Sequence, residues 1–120
     1  MRNINETSKQ GRVAEMYEIS KRDWKLFRER VPDWQEHYME RLTKEYIELL
    51  SASGNASDRF WALEKRIKKD KKHPGVMIEM SRSNAVWDIA AFVGYKAISL
   101  ADLEGFSDEL IEAVQLILSR

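Results

Sequence analysis

Two histidines, no cysteine and a scatter of carboxylates are the raw material for chemistry in this 120-residue chain. Without a thiol there is no disulfide, thiolate metal site, iron–sulfur cluster or cysteine nucleophile. His37 sits with Asp33, Glu36, Glu40 and Arg41. The di-carboxylate metal bundles use Glu-x-x-His twice, whereas His37 and Glu40 give the reverse order once, so a solvated helix face is the expectation and no metal is assigned. His73 precedes Pro74 in a turn and is expected to be structural. Asp88 stands out because Val86, Trp87, Ile89 and Ala90 surround it. With Ser81, Asn84 and Tyr95 it forms a polar line at helical steps, so Asn84, Asp88, Tyr95 and the nearby Arg82 are the candidate ligand-binding set. An outward or ion-paired Asp88 is favoured over a binding site. There is no glycine-rich phosphate loop and no nucleophile elbow. The expectation is a protein without catalytic residues or cofactor, not an enzyme.

Charge is balanced overall, with 20 basic and 20 acidic residues, and this removes the usual net-charge argument for nucleic acid or an anionic membrane. Locally it is uneven. From 59 to 82 eight basic residues face three acids, while from 99 to 120 five acids face Arg120 alone. Lys65, Arg66, Lys68, Lys69, Lys71 and Lys72 form a run able to contact phosphates. Solvated helix-end charge, or pairing with the acidic C-terminal segment, is favoured over nucleic acid, which stays as the alternative. Twelve aromatic residues are many for one small core. Trp34, Tyr38, Trp61 and Tyr95 are the candidates for an exposed interface patch.

The elements that carry these residues read as helices throughout. Only two prolines and five glycines interrupt the chain, and no alternating strand pattern occurs. Residues 1–18 read as a loosely ordered arm and 19–120 as a single domain. Ser20 and Asp23 form a capping box, with Ile19 and Trp24 as its staple, predicting a first helix that Pro32 ends. Pro32 then opens a second helix with Trp34, Tyr38, Leu42, Tyr46 and Leu49 in one stripe, stopping in Ser51-Ala52-Ser53-Gly54-Asn55. Ser57 is the expected cap of a third helix, with Phe60, Leu63 and Ile67 on its inner face and Trp61 at its flank, that ends in the lysines. Residues 76–98 carry two apolar stripes and are predicted to be the central helix, opened by Pro74. Ser99 with Asp102, and Ser107, are the expected caps of a short turn and a last helix over 108–119. The fold class is all-α, a bundle of four to five helices around the central one.

In Ile19-Ser20-Lys21-Arg22-Asp23-Trp24-Lys25-Leu26-Phe27-Arg28, in Pro32-Asp33-Trp34-Gln35-Glu36 and in Phe60-Trp61-Ala62-Leu63-Glu64-Lys65-Arg66-Ile67-Lys68 the chain resembles a group of small uncharacterised proteins of anaerobic Firmicutes. The likeness continues through Ser83-Asn84 and Phe106-Ser107-Asp108-Glu109-Leu110. Some of that group carry a multidrug-transporter label. The most apolar run here, 85–95, is broken by Asp88 and is too short to span a bilayer. The resemblance implies no catalytic residues. The expectation is a bacterial, cytoplasmic, helical interaction or regulatory module that associates with itself or with a protein partner, away from membranes. A small-ligand pocket at Asn84, Asp88 and Tyr95 is the further alternative.

Overall fold

A computed structural model describes residues 17–120. The expected arm lies outside the described residues except for Tyr17 and Glu18, which have no regular structure. Among the described residues every regular element is helical. They are α1 (Lys21–Ser51), α2 (Ala56–Asp70), α3 (Ala85–Gly94) and α4 (Asp108–Leu118), with single 3-10 turns at Arg82–Asn84 and Leu100–Leu103. The all-α reading is correct.

Three expected boundaries are not: Ser57, the expected cap of α2, lies inside that helix, whose cap position is Asn55. Pro32 lies inside α1 rather than between two helices. A proline removes one ladder bond and crowds the preceding turn, which usually ends a helix. Here Phe27, Val31, Trp34, Tyr38 and Leu42 form one buried stripe that runs past it, while Pro32 itself is exposed. The carbonyl it strands therefore faces solvent, and burial of the stripe outweighs the local cost. The central helix is also shorter than expected. Residues 77–81 are not helical, Ser81 is the cap of the 3-10 turn, and its hydroxyl bonds that of Ser83 at 2.9 Å. Short polar side chains that bond locally offer the backbone an alternative to the helix, and Ser81, Ser83 and Asn84 supply three within four positions. At the other end Lys96 adopts φ 61°, and the amides of Lys96 and Ala97 return to the carbonyls of Val93 and Phe92. That is a Schellman cap, which closes α3 at Gly94.

The described residues fall into two compact units. One comprises residues 17–30 together with 80–120. Its core holds Ile19, Phe27, Val86, Ile89, Phe92, Leu103, Leu110 and Val114, and α3 packs on α4. Asp23, fully buried, is its main polar tie. The Ser20 hydroxyl caps the Asp23 amide at 3.1 Å, as expected from the capping box. The Asp23 carboxylate, however, accepts from the Ser107 amide at 3.0 Å and from the Ser107 hydroxyl, and that hydroxyl caps Leu110. One carboxylate thus joins the starts of α1 and α4. Both of its bonds are charge-assisted, the stronger kind. Arg30 donates to the Asp102 carbonyl at 2.8 Å, and the Ser99–Asp102 capping box is complete.

The other unit is 31–79. Side chains tie α1 to α2: Tyr46 donates to Asp70 at 2.6 Å and Arg66 to Glu45 at 2.7 Å, while within α2 Arg66 also donates to Asp70 at 2.9 Å. Burial and the bond to Asp70 push the Tyr46 hydroxyl up to about 12, so at neutral pH it remains a donor. After α2 the chain turns tightly through His73. The His73 Nδ1 accepts from the Gly75 amide at 2.8 Å, which fixes the tautomer with hydrogen on Nε2, and the ring stacks on Tyr38 at 4.4 Å. Both His73 and Gly75 are buried.

Candidate functional site

The polar line expected on one long helix is divided among three local structures. Asn84 closes the 3-10 turn and is exposed, Asp88 lies in the first turn of α3, and Tyr95 lies just past its end with 67% of its surface exposed. Asn84 and Tyr95 are eleven positions apart, about 16 Å along a helix, so the set does not converge on one small ligand. Arg82 has a structural task, donating Nε and a terminal nitrogen to the Ile19 carbonyl at 3.1 and 2.9 Å. Among the described residues no group of three potential metal ligands comes together.

Asp88 remains chemically distinctive. It is half-buried, makes no hydrogen bond or ion pair among the described residues, and burial pushes its carboxyl from 3.8 up to about 6. The raised value means that the folded state holds its proton more tightly than the unfolded chain. The associated stability is fully present below about pH 4 and is lost as pH rises through 6. Asp88→Asn is therefore expected to stabilise the protein at pH 7.5, by about 1 kcal/mol after discounting for partial solvent screening, and to change nothing at pH 4. Urea titrations at the two pH values read this difference. Equal effects at both would refute the burial argument.

Of the aromatic interface candidates, Trp34 and Tyr38 belong to the core, because their positions on α1 continue the stripe begun by Phe27 and Val31. This corrects the expectation that they are exposed. Trp61 is different. It is 63% exposed, the adjacent Phe60 is 61% exposed, and their rings meet edge to face at 5.0 Å. Phe60, Leu63 and Ile67 follow at steps of three and four and share one side of α2. With Glu64, Lys68 and Lys71 they line a shallow depression of about 310 Å³. Sequence reasoning placed Phe60, Leu63 and Ile67 on an inner face. The side of α2 that meets α1 is instead marked by Arg59, Arg66 and Asp70, one position earlier in the helical sweep, and that displacement leaves Phe60 outside.

The basic run divides in the same way. Arg66 is committed to Glu45 and Asp70, and Lys68 to Glu64 at 2.9 Å. Lys65, Lys69, Lys71 and Lys72 are exposed and make no ion pair among the described residues. Helical steps bring Trp61, Lys65 and Lys68 onto one line of α2. The outer side of α2 therefore combines an apolar, aromatic stripe with a cationic margin, a surface suited to an apolar partner that also carries negative charge. Among the described residues no helix is long and apolar enough to cross a membrane. No protein-family model, no curated protein and no solved structure matches the chain.

Proposed function

We propose that the protein is a non-enzymatic interaction module whose contact surface is the outer side of α2. One observation carries this reading: two adjacent aromatic side chains, Phe60 and Trp61, are each more than 60% exposed on a regular helix. Large apolar groups contribute most to association when they pass from water into a partner, and aromatic residues dominate such contacts. Leu63 and Ile67 extend the pair into the two-turn spacing by which helices recognise one another. The separation of basic and acidic segments along the chain supplies orientation as well as attraction.

The test is association of the wild type and of Phe60→Ser/Trp61→Ser, by light scattering across the micromolar range and by capture of partners on the immobilised protein. The wild type is expected to form a complex, with itself or another protein, and the variant to weaken it at least tenfold. A wild type that stays monomeric and captures nothing, or a variant that associates equally well, contradicts the reading.

A further inference from the structure

Taking α2 as a contact surface, as above, we propose that its occupant is α4 of a second copy of this chain, packed antiparallel. Charge argues against α2 pairing with itself, because residues 56–72 hold seven basic side chains against three acidic ones. Helix α4 has the opposite character. Asp108, Glu109 and Glu112 lie exposed in its first half, and Arg120, past its end, is the only basic residue after Lys96.

The register follows from the spacing. Laid antiparallel, α4 brings Asp108 and Glu112 over Lys71 and Lys68, and places the neutral amide of Gln115 opposite Glu64. Leu118, 38% exposed, then meets Phe60, and the half-buried Ile111 meets Ile67. The eleven residues of α4 cover nearly the same length as Phe60 to Lys71, so the exposed apolar groups face one another and the acids of α4 face lysines. The helix ends agree as well: the last turn of α2 carries Lys68 and Lys69, and the first turn of α4 carries Asp108 and Glu109. Reciprocal use of the contact gives each copy one donor and one acceptor surface.

Sedimentation equilibrium on the full chain at 20 mM and 500 mM salt tests this. The wild type is expected to at least double its mass at low salt and to dissociate at least tenfold more readily at high salt, since these charges are exposed and screened. Lys68→Glu/Lys71→Glu and Asp108→Lys/Glu112→Lys are each expected to be monomeric, with circular dichroism confirming that they are folded. An equimolar mixture of the two is expected to associate again, because every mismatched contact is then matched. Phe60→Ser, which alters no charge, is expected to be monomeric at both salt concentrations. A monomeric wild type, or charge variants that associate alone, overturns the α4 assignment. Failure of the mixture to re-associate while both variants are folded also overturns it. The broader reading of α2 fails separately, when Phe60→Ser/Trp61→Ser leaves every association unchanged.

Discussion

Asp23→Ala is expected to lower the free energy of unfolding by about 3 kcal/mol, among the largest effects of any single side chain in the unit that contains it. The carboxylate is fully buried and accepts from both the amide and the hydroxyl of Ser107. Removing it leaves the first turn of α4 without its anchor and opens a small polar void. The same hydroxyl caps Leu110, so the loss reaches the α4 start directly. A double-mutant cycle with Ser107→Ala in urea titrations separates the shared term. A coupling of at least about 1.5 kcal/mol is expected, because the two residues act through one network. Additive effects would show that Asp23 acts through its own packing rather than through Ser107.

Gly75→Ala is expected to cost about 3 kcal/mol and to lower the melting temperature by roughly 10 °C. A Cβ built at this position meets the Tyr38 ring, 2.8 Å from Cγ, and lies 2.9 Å from the His73 Nδ1. Backbone conformation is not the obstacle, since the clash is with the stacked Tyr38–His73 pair. Relief therefore comes from shrinking the ring. Gly75→Ala combined with Tyr38→Leu is expected to lose less than the sum of the two single changes. Thermal melts of the three variants decide this, and full additivity would contradict the steric account.

These two sites also show where the sequence is legible. The caps at Ser20, Ser99 and Ser107 are local, each needing only a hydroxyl and an amide three residues on, and all three hydroxyls take that place. The bridge from Asp23 to Ser107 spans 84 residues, and no short-range pattern encodes it. Its trace in the sequence is that Asp23 occupies the acidic position of a capping box that it leaves unfilled. Apolar periodicity found the α1 stripe but not its continuity across Pro32, because a proline's effect depends on whether its side of the helix meets solvent. On α2 the period was right and the phase was wrong. Arg66 and Arg59 take the inward direction through hydrogen bonds to Glu45 and to the Leu50 carbonyl of α1, and the hydrophobic pattern alone assigned that direction to Phe60. Most of the candidate site was thus present in the sequence as a stripe, and what tertiary contacts added was the direction in which the stripe points.

The interface reading rests on Phe60 and Trp61 contributing nothing to the fold. The most direct measurement is the urea midpoint of Phe60→Ser/Trp61→Ser against the wild type, at a protein concentration low enough that both are monomeric. Surface side chains outside any core change stability by no more than about 0.5 kcal/mol, so coincident midpoints are expected. A loss of 3 kcal/mol or more would place both rings in the core and contradict the interface.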